Sequence, residues 1–195
     1  MKAHKHDNNN NGGFATPPEI KIAILTCSDK GSRGLRIDTA GPSVEKAVRK
    51  FFSSKKGQRT AIKISTTNYA ILPDDRSKIR DALKKWCDGR RAPDIIFTVG
   101  GTGMSKRDVT PEATRDVMDK LAPGIPEYIR WESFKKTKYA ALSRATAGIR
   151  KNTLIINLPG SLNGASETAS IISPLLAHAV EILRGHTEHD TRSSG

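Results

Sequence analysis

The bend Gly100-Gly101-Thr102-Gly103 has the residue types for close contact with an anionic ligand. It follows the apolar run Asp94-Ile95-Ile96-Phe97-Thr98-Val99 and leads into a polar turn, Met104-Ser105-Lys106-Arg107-Asp108. Glycines there let the backbone turn sharply, and their uncovered N–H groups form a natural anion cradle. Two more small-residue turns close apolar runs, Cys27-Ser28-Asp29-Lys30-Gly31 and Leu158-Pro159-Gly160-Ser161. In open α/β sheets such strand ends are where ligands bind, so the glycine bend and the turn at 158–161 are expected to face one another across a cleft. Taken alone, Ser28 and Asp29 are turn formers that bond their own backbone. The pair Asp74-Asp75, taken alone, reads as helix capping.

The bend is not a phosphate loop of the Gly-Lys-[Ser/Thr] kind, because no such sequence follows the glycines. Nor is it the dinucleotide fingerprint, since its spacing is wrong and it lies on an internal strand. No Ser/His/Asp set presents itself, because the five histidines fall outside the strand-end loops. Cys27 and Cys87 lack metal-ligand or disulfide spacing and read as buried free thiols in a reducing compartment.

The elements that must position these groups alternate. Residues 20–26 form an apolar strand, and Asp38, Gly41 and Pro42 introduce a helix with Val44, Ala47, Val48, Phe51 and Phe52 at helical spacing. After a loop at 53–58, residues 59–65 form a second strand. Asp74 or Asp75 then caps a helix carrying Ile79, Ala82, Leu83 and Trp86 on one face. Residues 94–99 form the strand that feeds the glycine bend. Thr110 is the expected N-cap and Pro111 the first residue of a helix burying Ala113, Val117, Met118 and Leu121. A helix at 125–134, a strand at 153–157 and a helix at 163–172 follow. Ser173-Pro174 is expected to start a separate last helix that Gly185 stops. This order predicts an α/β fold: a three-layer, doubly wound, mostly parallel sheet flanked by helices. Residues 1–18, with an Asn run, and 186–195 are polar and predicted to be disordered tails around one domain at 19–185.

The chain carries 33 Lys+Arg against 20 Asp+Glu, a formal net charge of +13. That suits an anionic partner. The basic residues are scattered over solvated helix faces, with no arginine-rich block and no aromatic-interleaved groove, which argues against nucleic acid. No apolar run reaches the length of a membrane span, and the amino terminus lacks a hydrophobic signal core, so the expected location is cytoplasmic.

With these pieces assembled, the chain resembles the molybdopterin adenylyltransferase family, the MogA/MoaB-type proteins and the G domains of plant Cnx proteins and gephyrin. The resemblance rests on Ser28-Asp29, Asp38 with Gly41-Pro42, Pro73-Asp74-Asp75 and the bend through Gly103. It continues through Arg107-Asp108-Val109-Thr110-Pro111-Glu112-Ala113-Thr114, Leu142-Ser143-Arg144, Gly148-Ile149-Arg150 and Leu158-Pro159-Gly160. The pieces fall in the family's order over residues 19–185. Two positions depart from it: Ala40 stands where the family often has Ser, and Ser161-Leu162 replaces a segment that usually carries a second proline.

The resemblance implies transfer of AMP from Mg-ATP to the terminal phosphate of molybdopterin, with release of pyrophosphate. It implies that Asp74 and Asp108 are catalytic and coordinate Mg²⁺, with Asp75 left as a cap. Gly100, Gly101, Thr102 and Gly103, with Ser28 and Asp29, would bind the nucleotide. Ser143, Arg144, Pro159 and Gly160 would wall the molybdopterin pocket, Arg144 as a bidentate phosphate clamp. Lys106 and Arg107 would help neutralise pyrophosphate. The family further implies a homotrimer and a molybdate-inserting partner, separate or fused. The competing reading is a gephyrin-like scaffold that binds molybdopterin without significant turnover.

Overall fold

The computed structural model describes residues 19–53 and 62–185. The two expected tails, the loop at 54–58 and the expected start of the second strand at Arg59 lie outside the described residues. In chain order the elements are β1 (Glu19–Cys27), α1 (Asp29–Ser32), α2 (Ala40–Ser53), β2 (Lys63–Leu72), α3 (Arg76–Asp88) and β3 (Ile95–Val99). Then come α4 (Thr110–Arg115), β4 (Lys120–Leu121), α5 (Gly124–Phe134), a 3₁₀ turn (Lys138–Leu142), β5 (Ala147–Arg150), β6 (Thr153–Leu158) and α6 (Leu162–Leu183).

The six strands run in the order β2-β1-β3-β6-β5-β4. The pairs β1/β2, β1/β3 and β3/β6 are parallel, whereas β5/β6 and β4/β5 are antiparallel. The expected three-layer α/β architecture is therefore what forms. Side chains alternate across the sheet. Ile22, Ile24, Ile95, Phe97 and Ile156 enter a core with α2, α5 and α6, while Ala23, Leu25, Ile96 and Ile155 meet α3 and α4 on the other face. Burial on both faces explains why β1, β3 and β6 read as continuous apolar runs. The chain passes from β1 to a neighbour on one side, then to β3 on the other. That reversal opens a crevice at the carboxyl ends of β1 and β3.

Four expectations are corrected. The second strand runs on to Leu72 rather than ending at Ser65, because pairing with β1 continues past a register shift between Ile22 and Ala23. Thr110 is not a cap: it is the first residue of α4, and Val109 occupies the cap position without a side-chain bond. α4 stops at Arg115, so although Val117 is buried, Leu121 is 65% exposed and sits in β4. The antiparallel β4/β5 edge depends on Gly148, where a Cβ would fall 1.9 Å from the Met118 sulfur and 2.6 Å from the Lys120 carbonyl oxygen. Finally, α6 is one helix through Pro174 rather than two. Proline removes one backbone donor. The buried stripe of Ala165, Ala169, Ile172, Leu176 and Val180 holds the helix across that gap.

Candidate functional site

Each strand end is shaped by a specific local bond. Ser28, at the end of β1, caps α1 by accepting a hydrogen bond from the Gly31 amide at 3.1 Å. Asp75, after β2, accepts from the Ser77 and Lys78 amides and caps α3, as its position in the sequence suggested. This leaves the carboxylate of Asp74 to face the crevice.

At the end of β3, Gly100 and Gly101 have φ of +102° and +62°. A Cβ at Gly100 would lie 2.4 Å from the Cys27 carbonyl oxygen, so only glycine fits both the backbone angle and the space. The Gly100 amide donates to the Leu158 carbonyl at 3.0 Å and so is not part of an open cradle. The carbonyls of the next three residues point into the protein. Gly101 O accepts from the Thr110 amide, Thr102 O from the Arg144 amide, and Gly103 O from Arg144 Nε at 2.6 Å. The amides of Gly101, Thr102 and Gly103 make no hydrogen bond among the described residues and remain available.

The glycine bend and the Pro159-Gly160 turn do not face one another across a cleft. They touch: a Cβ on Gly160 would lie 3.0 Å from the Gly100 Cα. The joined turns separate two cavities. The first, about 480 Å³, is lined by Gly100, Gly101, Gly160, Ser28, Asp74 and Asp108, and closed by the 36–40 segment. The second, about 360 Å³, is lined by Thr102, Gly103, Ser143, Pro159 and Asn157, with apolar cover from Ile129, Tyr139 and Leu142. Both lie in the size range of small-molecule sites.

The structure thus brings Asp74 and Asp108 to one cavity with half of the glycine bend. It places Gly160 on the first cavity with Asp74 and Asp108 rather than with Pro159 and Ser143, and places Thr102 and Gly103 on the second. Asp29 and Arg144 line neither. Asp29 is engaged by the Arg107 guanidinium through three hydrogen bonds. Arg144 donates to the carbonyls of Gly103 and Asp108 and pairs with Glu112, so it braces the turn rather than presenting a free clamp. Lys106 is exposed and lines neither cavity.

The electrostatics follow from these contacts. Burial pushes the Asp74 carboxyl above its ordinary value; the charges of Asp29 and Asp108 add to this, and the Asp29 amide opposes it. Asp29 is held below the usual carboxylate range, chiefly by Arg107. Burial lifts Asp38 too, but hydrogen bonds from Thr26, Tyr69, Gly41 and Ala40 outweigh it and hold the group low. Cys27 is buried and its thiol is pushed up to about 12 by desolvation, which makes it inert. Both cysteines are free. No cluster of three or more His, Cys, Asp or Glu among the described residues could hold a metal by itself. Asp74 and Asp108 on one cavity are nevertheless a donor pair that could hold Mg²⁺, which takes one or two carboxylates and fills its shell with phosphate oxygens and water.

Sequence reasoning missed two features. Asn157 is 1% exposed, donates to Thr98 and Thr114 at 2.7 and 2.9 Å, and accepts from the Thr146 amide. Its signal was a lone amide in an otherwise apolar strand. Arg36 and Ile37 line the first cavity, and nothing local in the sequence marked them.

Residues 23–178 match a family model described as "Probable molybdopterin binding domain". The chain is 41% identical over 164 residues to the molybdenum cofactor synthesis protein cinnamon of Drosophila melanogaster, covering 84% of this chain and 26% of that protein. It is 35% identical over 167 residues to a molybdopterin adenylyltransferase of Helicobacter pylori strain J99, covering 86% of this chain and 89% of that one. Among solved structures, the molybdopterin biosynthesis enzyme MoaB from Thermus thermophilus superposes with a TM-score of 0.73 at 40% identity, over 85% of this chain and 97% of that chain. The chain therefore spans nearly all of the bacterial proteins and about a quarter of the insect one. No helix among the described residues is long and apolar enough to cross a membrane.

Proposed function

The chain belongs to the molybdopterin-binding domain family, and from that premise we propose that it is a molybdopterin adenylyltransferase of molybdenum cofactor biosynthesis. It transfers AMP from Mg-ATP to the terminal phosphate of molybdopterin. The observation that carries this reading is that Asp74 and Asp108, from separate turns, line the one cavity floored by Gly100 and Gly101. The 35% identity to proteins named for this activity supports it.

In the reaction a terminal phosphate oxygen of molybdopterin attacks the α-phosphorus of ATP. The bond to the β,γ-pyrophosphate breaks, and a phosphoanhydride forms between AMP and the pterin phosphate. ATP occupies the first cavity, where the Gly101 amide, the one amide of the bend that both lines this cavity and lacks a partner among the described residues, approaches a phosphate oxygen. Asp74 and Asp108 are the residues that would hold Mg²⁺, which would supply positive charge to offset that of the phosphates. Molybdopterin enters the second, more apolar cavity beside Ser143 and Pro159, and the shared ridge sets its phosphate beside the nucleotide. Asp29 and Arg144 position this apparatus without touching substrate.

We infer a homotrimer as well. Trp131, 68% exposed, with Tyr128 and Phe134 on α5 gives an apolar surface suited to self-association. The product goes to a molybdate-inserting partner, on another chain or a fused domain, in the cytoplasm. The buried, unpaired cysteines suit that reducing compartment. Pyrophosphate release on mixing the chain with Mg-ATP and molybdopterin tests the activity. Binding of molybdopterin with no pyrophosphate formed would leave the scaffold reading in its place. Light scattering at assay concentrations tests the trimer.

A further inference from the structure

The first cavity is lined by three carboxylates, Asp38, Asp74 and Asp108, and among the described residues by one cation, Arg36. Asp74 and Asp108 would be offset by the Mg²⁺ proposed above, which leaves Asp38 and the phosphates of an anionic ligand to be matched by a cation of the protein itself. The neighbouring guanidinium groups are taken: Arg107 pairs with Asp29, and Arg144 with Glu112 and two carbonyls. Asp38 offers Arg36 no partner either. One of its oxygens accepts from the Ala40 and Gly41 amides, and the other from the hydroxyls of Thr26 and Tyr69. Arg36 itself makes no hydrogen bond or ion pair among the described residues and is exposed to solvent at the cavity wall. The segment carrying it is pinned where Asp38 ties β1, β2 and the start of α2 together.

We propose that Arg36 is the phosphate-binding cation of this cavity, recognising the polyphosphate of the nucleotide rather than its nucleoside. The proposal rests on the adenylyl-transfer reading for the cavity's occupant. A planar guanidinium engages two phosphate oxygens at once, which an ammonium does not. Phosphate groups beyond the α-position are the part of ATP that differs from AMP, so Arg36 gives the site its preference for triphosphate and its hold on pyrophosphate.

Calorimetry on the full chain with Mg²⁺ tests this, using ATP, AMP and inorganic pyrophosphate as probes. Arg36→Ala is expected to weaken ATP and pyrophosphate by about tenfold while changing AMP less than about twofold, and Arg36→Lys to recover part of the loss. Arg33→Ala, also exposed but not lining the cavity, is expected to match the parent. Equal loss for AMP and ATP, or no loss for either, would overturn the assignment of Arg36 while leaving adenylyl transfer intact. Failure of the parent chain to bind ATP or pyrophosphate would overturn the transferase reading and this proposal together. Arg36 has no internal partner among the described residues, so its variants should melt with the parent. A lowered Tm would mean a structural role and would also count against the proposal.

Discussion

Asp29 and Asp74 exchange hydrogen bonds: the Asp29 amide donates to the Asp74 carboxylate at 3.0 Å, and the Asp74 amide donates to the Asp29 carboxylate at 3.1 Å. The pair staples the turn after β1 to the turn after β2 and fixes where the Asp74 carboxylate points. Arg107 closes the arrangement by gripping both oxygens of Asp29. Asp29→Ala should therefore lower turnover by about tenfold through lost orientation of Asp74, with a smaller change in the KM for ATP. A steady-state comparison in which KM alone rises would make Asp29 a nucleotide contact instead.

Asp74→Asn and Asp108→Asn should each fold and lose about a hundredfold or more in adenylyl transfer, the scale seen when charge organisation at a transition state is removed. Pyrophosphate release within a few-fold of the parent in both variants would exclude them from catalysis.

The same Asp74 variant makes an opposite prediction for stability. Because burial raises the folded-state pKa of Asp74, its ionisation opposes folding. The stabilising contribution of the protonated group is complete below the ordinary carboxylate pKa and is lost as pH rises through the raised folded value. Asp74→Asn should thus melt higher than the parent at neutral pH, with the gap closing in acid. Equal Tm values at neutral pH would show that burial, with the charges of Asp29 and Asp108, does not burden this site.

Gly101→Ala should cost about 1–2 kcal/mol from its left-handed backbone alone. Its Cβ would also fall 2.3 Å from the Thr110 hydroxyl oxygen and 3.1 Å from Asp74 Oδ1. The combination should destabilise the fold and abolish measurable ATP binding by calorimetry. Retained affinity would show that the bend is not the cradle.

Arg144→Ala should lower stability by about 1–3 kcal/mol, discounted for partial exposure, since it frees the carbonyls of Gly103 and Asp108 and leaves Glu112 unpaired. Arg144→Lys should recover little, because one ammonium cannot span three acceptors held in a fork. Denaturant unfolding separates this from a pterin clamp, which would change molybdopterin affinity and leave the midpoint alone.

Much of the molecule was written locally. The apolar runs of β1, β3 and β6 announce strands covered on both faces, and the Asp74-Asp75 pair announces a cap without saying which of the two makes it. The glycine bend also stood out by its residue types, whereas Asp74 and Asp108 stood out through the family resemblance, the Asp74-Asp75 pair taken alone reading as a helix cap. Less legible were the ends of elements. Leu121 looked like a helix face until pairing with Gly148 drew it into a sheet edge, and Pro174 looked like a break until a buried stripe carried the helix through it.

By itself, then, the sequence determined the alternation of strands and helices and the family to which the chain belongs, since these depend on side-chain type, near-neighbour spacing and the order of motifs along the chain. Only the tertiary structure decided which wall each residue forms. Contact between the Gly100 and Gly160 turns split one imagined cleft into two cavities, and Arg107 and Arg144 found partners 78 and 32 positions away. Those outcomes depend on which strand ends become neighbours and which charges find each other first. Both are set by sheet order and long-range pairing, to which no local stretch of chain has access.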